Sequence, residues 1–385
     1  MSHYFDQTAT GDLDRELLDC YMQALCDFPA NPATHYASGQ RARAALEEAK
    51  LRISRALHCL PGEVIFTSSA TESINTVIKS VAWQSKTRAG VLLAPAAEHA
   101  ATRESLEFAA KELGRRVAYL PLRDKNLDLE AWQTYLDQEK VDLVSSVYVH
   151  NLTGAIYPVQ DLAALVRKKA PQARIHIDAV QALGKCEINF AAMDVDYLSL
   201  SLHKLGCPKG SGLLLANQKK RFVPLLHGGG QEEGRRSSTE NPALALTSAL
   251  AIEKAVAGQA ESLTMVTELR QTFLAALHDQ IDAKFTYQVL APEVNFVPHI
   301  VPLYLPGLRA QNIQTVLSEA GWEVGIGSAC SSTKQKAPQA LLDLGLNAEE
   351  SLHFLRISLS PSHSSEEVVE LAGRVAGAVK EFGLA

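Results

Sequence analysis

Polar and ionisable side chains follow the apolar, β-branched runs of the chain, and their types suggest a chemical site. The groups are Ser68-Ser69-Ala70-Thr71-Glu72, His99, His150-Asn151, Asp178-Ala179-Val180-Gln181 and His203-Lys204. Taken singly, each group is explained by a turn or a helix cap. A plain sheet, however, would end in Gly, Asn or Asp turns and would not add several histidines and a lysine. Because ligands of open α/β sheets bind beyond the carboxyl ends of the strands, the set together predicts a site.

Three of these groups have a recognisable chemistry. Ser68-Ser69-Ala70-Thr71 leads into a helix that starts near Glu72, where free N–H groups and the helix dipole favour a phosphate, although an N-cap also explains it. Asp178 ends a strand, where a buried carboxylate needs a cationic or N–H partner unless it is simply a turn residue. Lys204 follows another strand, and a desolvated lysine loses its proton more easily and can form a Schiff base.

A phosphate cradle, a strand-end aspartate and a strand-end lysine together match the needs of pyridoxal phosphate. Lys204 would hold this cofactor as a Schiff base, and Asp178 would keep the pyridine nitrogen protonated so that the ring accepts electrons from a substrate carbanion. The cofactor is inferred from the match of chemical groups and not from their spacing.

The elements that position these groups predict an α/β fold with a mostly parallel sheet. Residues 40–57 place Ala45, Ala49, Ile53 and Leu57 at helical spacing. Strands are predicted at 64–66, 91–93, 117–120, 141–149, 174–177, 197–202 and 213–215. Several are continuous apolar runs, as expected for strands buried on both faces, and helical stretches separate many of them.

After about Val256 the pattern changes to a smaller α+β arrangement. A polar stretch at 258–261 leads into a long helix through Leu277, a strand follows near 301–304, and helices follow at about 310–320 and 364–380. We therefore expect a large cofactor-binding domain over 12–256 and a small domain over 257–385 that includes the N-terminal segment 1–11.

Composition excludes several classes of protein. Hydrophobic residues make up 46% of the 385 residues and charged residues 21%, which argues against disorder. A net charge of −6 disfavours binding to nucleic acid or to an anionic membrane, and no run of about twenty apolar residues is present. The six cysteines form no C-x-x-C pair and no secretion signal precedes them, so a cytoplasmic location is expected.

Other catalytic motifs do not fit. The segment His227-Gly228-Gly229-Gly230 is similar to the oxyanion loop of lipases, but the chain has no G-x-S-x-G nucleophile motif. It also has no H-E-x-x-H and no Walker A segment, so no metal site is predicted.

The ordered set of motifs resembles the cysteine desulfurases, which belong to the class V aminotransferase-like group of fold-type I pyridoxal phosphate enzymes. The segment 201–210, Ser-Leu-His-Lys-Leu-Gly-Cys-Pro-Lys-Gly, resembles the family's cofactor-lysine motif. The further matching segments are 66–73, 98–99, 150–154, 176–181, 228–234, 327–330 and 355–358. The resemblance covers nearly the whole chain and implies a homodimer with a large domain and a smaller α+β domain.

The resemblance also implies a role for each matching residue. Lys204 would carry the cofactor and move protons, and His99 would stack on its ring. Asp178 would pair with the pyridine nitrogen and Gln181 with the phenolic oxygen. The phosphate would be held by Ala70, Thr71, Ser201, His203 and, from a second subunit, Thr239. Asn151 and Arg356 would clamp the substrate carboxylate, which suits the fork of an arginine, although a surface ion pair is the ordinary alternative for Arg356.

Cys330 selects the reaction within this family. It lies in the polar, Gly-hinged segment 325–338, which is typical of a mobile loop, and its neighbours are not those of a buried structural cysteine. As the family's nucleophile, its thiolate would attack the sulfur of cofactor-bound L-cysteine and give alanine and a persulfide on Cys330. Lys334 and Lys336 would favour the thiolate. The Gly-Ser-Ala-Cys form resembles the subgroup that serves iron–sulfur scaffolds and transfer-RNA thiolation, so a sulfur-acceptor protein is expected.

Two segments depart from the family pattern and keep alternatives open. The usual opening Asp-Asn-Ala-Ala-Thr-Thr is replaced by residues 6–11, Asp-Gln-Thr-Ala-Thr-Gly, and the usual Arg-Ser-Gly-Thr by residues 236–239, Arg-Ser-Ser-Thr. Ser tolerates positive φ less well than Gly, which affects the backbone beside Thr239. The alternatives are a selenocysteine lyase or another class V lyase or aminotransferase, and a catalytically silent homologue that acts as a docking partner.

Overall fold

The computed structural model describes residues 3–84, 90–220, 222–292, 295–327 and 339–383. The strands are β1 His3–Phe5, β2 Val64–Thr67, β3 Val91–Pro95, β4 Arg116–Leu120, β5 Leu122–Arg123, β6 Asn126–Leu127, β7 Val141–Val147, β8 Arg174–Asp178, β9 Tyr197–Ser201, β10 Gly212–Ala216, β11 Gln288–Val289, β12 Ile300–Tyr304, β13 Trp322–Ile326 and β14 Phe354–Ser358. The helices are α1 Arg15–Asp27, α2 Ala37–Leu57, α3 Ala70–Gln84, α4 Ala100–Leu113, α5 Leu129–Gln138, α6 Val159–Lys169, α7 Pro242–Ala257, α8 Gln259–Gln280, α9 Ala310–Glu319, α10 Gln339–Asp343 and α11 Ser365–Phe382.

A seven-stranded sheet carries the strands predicted in the first two thirds of the chain. Its order is β2-β10-β9-β8-β7-β3-β4, and only β10 runs against its neighbours. Strands β3, β9 and β10 are buried along their whole length, which explains their continuous apolar sequences. Because six strands point the same way, their carboxyl ends lie at one edge of the sheet.

The helical spacing predicted for residues 40–57 is present in α2. Ala45, Ala49, Ile53 and Leu57 are all buried on one face of this helix. Both α1 and α2 pack against α7. On the other side of the sheet α3 packs against α4, and their apolar faces meet β3 and β10.

A second sheet of five strands, ordered β1-β13-β14-β12-β11, forms a separate apolar core. Strand β1 comes from the start of the chain and pairs in parallel with β13, so that His3 lies opposite Trp322. Helices α8, α9 and α11 contribute buried residues to the same core. The N-terminal segment is therefore part of this second sheet before it crosses to the first.

The structure corrects several element boundaries. Strand β7 ends at Val147, and Val149 makes only an isolated bridge with Ile156. The polar stretch at 258–261 does not precede the long helix but forms its first turn, because α8 begins at Gln259. The helix continues past Leu277 to Gln280. Of the expected loop 325–338, residues 325 and 326 end β13 and 328–338 lie outside the described residues. The division at 256/257 stays a prediction.

The described helices include none with both the length and the continuous apolar character that crossing a membrane requires.

Candidate active site

A cavity of about 280 Å³ lies at the carboxyl edge of the seven-stranded sheet. It is lined by Thr8, Ala9, Ser69, Ala70, Thr71, Ile74, His99, Ala101, Val147, Val149, Asn151, Asp178, Val180, Gln181, Ser201, His203, Lys204 and Arg356. The ends of β7, β8 and β9, the beginnings of α3 and α4, the N-terminal segment and strand β14 all contribute. Ten of the residues singled out in the sequence therefore meet in one cavity.

Lys204 lies in a short 3-10 turn that directly follows β9. Its ammonium Nζ donates to the main-chain oxygens of Thr8, at 2.6 Å, and of Ala9. Burial and the nearby Arg356 lower the pKa of Lys204 to about 8, because both disfavour a further positive charge. A substantial fraction of this lysine is therefore a neutral, nucleophilic amine near pH 8.

Asp178 is the last residue of β8, and its carboxylate faces the same cavity. Its Oδ1 accepts a hydrogen bond from the main-chain N–H of Val180 at 3.0 Å. Burial raises the pKa of Asp178 above its ordinary value, and the nearby His99 and Lys204 oppose that shift. This carboxylate is therefore suited to a cationic N–H partner, which would stabilise its charged form.

His99 caps the N-terminus of α4. Its Nδ1 accepts from the main-chain N–H of Ala101 at 3.1 Å. Since that nitrogen is an acceptor, the ring proton of the neutral imidazole lies on Nε2. Burial lowers the pKa of His99, so the ring stays neutral and can stack on a flat aromatic group.

The end of the cavity beside α3 is suited to an anion. Ala70 and Thr71 form the first turn of α3, and the hydroxyl of Ser69 accepts from Glu72 N at 3.1 Å. The backbone of Ser69 is very close to β10, since a Cβ on Gly212 would lie 2.5 Å from Ser69 N. A glycine is therefore required at 212 for the helix start to occupy this place.

Ser201 and His203 line the same end of the cavity. The His203 Nδ1 lies 3.0 Å from the hydroxyl of Thr10. Burial lowers the pKa of His203 to about 4, so at neutral pH its imidazole is an uncharged hydrogen-bonding group.

Gln181 is held at both ends of its amide. The Nε2 donates to Thr8 O at 3.1 Å, and the Oε1 accepts from Lys185 Nζ at 3.4 Å. This pair of contacts fixes the donor side of the amide toward Thr8, and therefore toward the cavity that both residues line.

Arg356 is a buried arginine on β14, with a side chain 2% exposed. Its Nη2 donates to Asp6 Oδ1 at 2.6 Å and its Nη1 donates to Asn151 O at 3.2 Å, while its buried Nε has no partner in the described residues. The ordinary alternative of a surface ion pair does not hold, because the guanidinium is in the interior and lines the cavity. Its remaining donors are suited to a small carboxylate.

Among the described residues, one that was assigned in the sequence, Thr239, does not line this cavity. Thr239 is exposed and lines a separate cavity of about 240 Å³, where Arg236 is ion-paired with Glu72 at 2.9 Å. Cys330 lies outside the described residues, so its placement stays a prediction.

Sequence reasoning missed Asp6, Thr8 and Ala9 as parts of the site. They belong to residues 6–12, which we call the N-terminal strap. The only signal was the family-like opening at residue 6, which attracted attention for its departures and not for its contacts. Thr8 and Ala9 act through main-chain oxygens, and side-chain identity gives no sign of those.

Glu98 was noted only as the neighbour of His99. It is buried, with Oε1 accepting from Val147 N at 2.8 Å and Oε2 without a partner in the described part of the chain. Burial and the nearby Asp178 raise the pKa of Glu98 to about 8, so this carboxyl is largely protonated at neutral pH.

The donor set fits pyridoxal phosphate. A half-buried amine suits its aldehyde, a buried carboxylate suits its pyridine nitrogen, a neutral imidazole suits its ring face, and a helix N-terminus suits its phosphate. The residues are Lys204, Asp178, His99 and the pair Ala70 and Thr71, all of which line one cavity.

Known proteins resemble this chain over nearly its full length. The family model described as Aminotransferase class-V matches residues 3–371. The cysteine desulfurase IscS of Dictyoglomus turgidum is 31% identical over 366 residues, which is 95% of this chain and 91% of that protein. A solved NifS-like protein superposes with a TM-score of 0.91 at 29% identity, over 99% of this chain and 100% of its own. The structure described as SspA in complex with cysteine gives a TM-score of 0.81 at 25% identity, over 94% of this chain and 100% of its own.

Proposed function

The chain belongs to the class V aminotransferase family, as its motifs predict, and we propose that it is a pyridoxal phosphate-dependent cysteine desulfurase. The predicted fold class, a fold-type I α/β architecture, is confirmed by its likeness to the NifS-like protein. The observation that carries the proposal is that ten residues assigned to cofactor and substrate line one 280 Å³ cavity.

In this proposal the protein would hold the cofactor through complementary groups that line one cavity. Lys204 would hold its aldehyde, Asp178 would pair with the pyridine nitrogen, Gln181 would donate to the phenolic oxygen and His99 would contact the ring. The cofactor supplies an electron-accepting ring that stabilises negative charge on the α-carbon of a bound amino acid. The neutral fraction of Lys204, available because its pKa is about 8, accepts and returns protons.

Substrate binding rests on the buried guanidinium of Arg356. Together with Asn151, it holds the α-carboxylate of L-cysteine. Asp6 orients the guanidinium by accepting a hydrogen bond from its Nη2. Because Arg356 is fully buried, this ion pair forms away from water and gives strong orientation.

The sulfur chemistry is assigned to Cys330 on the strength of the sequence motif. The C–S bond of the substrate breaks and an S–S bond forms to the Cys330 thiolate, while the β-carbon takes a proton and becomes the methyl group of alanine. The sum is L-cysteine plus a thiol giving alanine plus a persulfide, so no external oxidant or reductant is needed.

We also propose that the active form is a homodimer. Thr239 is exposed and lies outside the cavity of its own chain, as expected if it serves the phosphate site of a partner. It precedes α7 by three residues, and α1, which packs on α7, exposes Met22 and Leu25. Exposed apolar side chains of this kind are typical of a surface that a second copy covers.

The persulfide is proposed to pass to a protein acceptor, either an iron–sulfur scaffold or a sulfur carrier. A cytoplasmic location is proposed with it. The described cysteines, Cys20, Cys26, Cys59, Cys186 and Cys207, are all free thiols, which suits a reducing compartment.

The deciding experiment is a single turnover of the full-length holoprotein with L-cysteine. We expect one equivalent of alanine, and mass spectrometry should find one added sulfur on the peptide that contains Cys330. Cys330→Ala should give neither product while keeping the cofactor bound. Cys26→Ala, which removes an exposed thiol elsewhere in the chain, is the matched control and should behave as the wild type.

The negative outcomes are informative as well. Alanine formed by Cys330→Ala at the wild-type rate would exclude the persulfide step. If the protein bound the cofactor but gave neither product, the family assignment would stand and the proposed desulfurase activity would be rejected. That result is expected of a catalytically silent homologue.

A further inference from the structure

The N-terminal strap contacts four of the charged and polar groups of the site. Besides the bond from Asp6 to Arg356, it contacts Gln181, His203 and Lys204. Apart from the contact of Asp6 with Arg356, this segment has no part in the proposed reaction, although it crosses from the second sheet to the first directly through the active site.

Two main-chain oxygens of the strap converge on one ammonium group. Thr8 O accepts from Lys204 Nζ at 2.6 Å, and Ala9 O accepts from the same nitrogen. Thr8 O also accepts from Gln181 Nε2, so one carbonyl joins the lysine to the side chain assigned to the phenolic oxygen. Carbonyl oxygens favour the charged lysine, since a hydrogen bond from a positively charged ammonium is stronger than one from a neutral amine.

One side-chain contact and one main-chain contact hold the strap on either side of these two oxygens. The hydroxyl of Ser358, two residues after Arg356 on β14, donates to the hydroxyl of Thr8 at 2.7 Å. On the other side, Gly11 N donates to His203 O at 3.0 Å. The strap is thus fastened at one end to the strand of the carboxylate clamp and at the other to the turn that carries Lys204.

Gly11 allows the strap to approach this turn closely. A Cβ at position 11 would lie 2.7 Å from Lys204 O and 2.9 Å from Lys204 C. Both atoms are main chain, so a side chain here must displace either the strap or the turn. The family opening that this chain resembles has Thr at the corresponding place, and Thr8 likewise replaces an alanine.

We propose that the carbonyl groups of Thr8 and Ala9 are a docking site for the free ammonium of Lys204, occupied whenever the lysine is not bonded to the cofactor. The inference rests on the proposed function, because it takes Lys204 as the cofactor lysine. The strap is then a positioning element of the reaction: it holds the released lysine beside the substrate and keeps it from the bulk solvent.

The docking site acts against the other charges around the lysine. The charged and titratable groups that face Lys204 are Asp6, His99, Asp178, Lys185, His203 and Arg356. Burial, Lys185 and Arg356 disfavour the ammonium, whereas the two carbonyls, Asp6 and Asp178 favour it. Loss of the carbonyl contacts therefore lowers the pH at which Lys204 gives up its proton.

The test measures how fast the full-length apoprotein captures added pyridoxal phosphate covalently as a function of pH. The rate follows the neutral fraction of Lys204, so its midpoint reports the proton affinity of that amine without any turnover. Gly11→Ala, which pushes the strap from the turn, should lower the midpoint by about half a pH unit. That shift makes capture below the midpoint about threefold faster. Thr8→Val, which removes the bond to Ser358, should act in the same direction.

Matched controls separate this effect from a general loss of structure. Gly377→Ala adds a Cβ that meets nothing within 4 Å, and Thr264→Val removes an exposed helix hydroxyl of the same residue type. Both should keep the wild-type midpoint. Because the readout is a midpoint and not an amplitude, partly folded preparations do not change it.

The outcomes distinguish the docking site from the proposed function. Borohydride trapping and peptide mapping first establish whether the cofactor is bonded to Lys204. If it is, a midpoint that is unchanged or raised in both strap variants overturns the docking site alone. Trapping at another residue, or equal capture by Lys204→Ala, overturns the proposed function and the docking site together.

Discussion

Burial acts in opposite directions on the two central residues of the site. It lowers the pKa of Lys204 to about 8 and raises that of Asp178, because in each case the charged form is poorly solvated. Each group then depends on a specific partner. Lys204 has the oxygens of Thr8 and Ala9, whereas within the described part of the chain Asp178 accepts from one main-chain N–H and needs a cation to complete its environment.

The first prediction concerns the charge of that carboxylate. Asp178→Asn should keep the hydrogen bond to Val180, since the amide oxygen accepts as the carboxylate does, and the fold should therefore survive. It should lower kcat for alanine formation by about 100-fold or more, because a neutral amide cannot keep the pyridine nitrogen protonated. Steady-state kinetics and the visible spectrum of the bound cofactor provide the measurement.

Asp196 offers the matched control, because it is a buried carboxylate at the opposite edge of the same sheet. It pairs with Arg167 and accepts from Ile175 N. Asp196→Asn should lower the free energy of unfolding by about 2 kcal/mol or more and leave kcat per bound cofactor unchanged. Equal kinetic losses in the two variants would contradict the role assigned to Asp178.

The types of these residues could be read from the sequence, but their partners could not. Strand-end Asp178 and Lys204 stand out because ionisable side chains are rare after buried strands. Asp6 and Arg356, by contrast, are separated by 350 positions, and only the fold brings them to 2.6 Å. The oxygens of Thr8 and Ala9 give no signal at all, since every residue has a main-chain carbonyl.

At the scale of elements, the site depends on how closely β10 approaches the start of α3. Strand β10 runs antiparallel between β2 and β9, and Gly212 lies opposite Thr67 and Ser201. Its missing side chain leaves room for the backbone of Ser69, and hence for the helix N-terminus proposed to hold the phosphate. The apolar run at 213–215 predicted the strand, but neither its direction nor the need for a glycine followed from hydrophobic pattern alone.

The second prediction tests this close approach. Gly212→Ala should displace the start of α3 and raise the dissociation constant of pyridoxal phosphate about tenfold, which corresponds to about 1.4 kcal/mol. The free energy of unfolding should fall by about 1–3 kcal/mol, as for other overpacked positions. Equilibrium binding to the apoprotein and denaturant unfolding measure the two effects.

Gly377→Ala is again the suitable comparison, because this exposed helical position has free space around it. It should leave cofactor affinity unchanged and stabilise α11 by up to about 1 kcal/mol. If Gly212→Ala bound the cofactor as tightly as Gly377→Ala, the anion site would have to lie elsewhere.

At the scale of the whole molecule, the two sheets meet at the cavity. Under the dimer proposal, one chain alone does not complete this cavity, because Thr239 would come from the partner. The second sheet supplies Arg356 and the first supplies Asp178 and Lys204. Thr239 is the one assigned residue among the described ones that does not line this cavity. The resemblance to the family implies that Thr239 reaches the phosphate site of a partner subunit. A residue with that role must be exposed on its own chain, as Thr239 is.

The third prediction is complementation between two damaged chains. Lys204→Ala and Thr239→Asp should each form inactive homodimers, the second because its carboxylate repels the phosphate. Co-expressed, they should recover about a quarter of wild-type activity, since half of the dimers are mixed and each mixed dimer has one intact site of two. Activity of the co-expressed mixture is the measurement, and tag-selected mixed dimers should reach about half of the wild-type activity.

The double variant Lys204→Ala with Thr239→Asp, paired with a wild-type chain, is the control for this design. Its mixed dimer has no intact site if Thr239 acts across the interface, and one intact site if Thr239 acts within its own chain. Activity in that mixed dimer, with none in the complementing pair, would place Thr239 in its own subunit.

The contact between Asp6 and Arg356 has a consequence for biosynthesis. Since 350 positions separate the two residues, a ribosome adding about 5–20 residues per second needs roughly 20–70 s between them. Lys204 is made 152 positions before Arg356, so for roughly 8–30 s of that time the amine is present and the guanidinium that would anchor a substrate is not. The nascent chain can thus acquire its reactive amine before its substrate clamp, and desulfurisation becomes possible only when translation has passed Arg356 in β14.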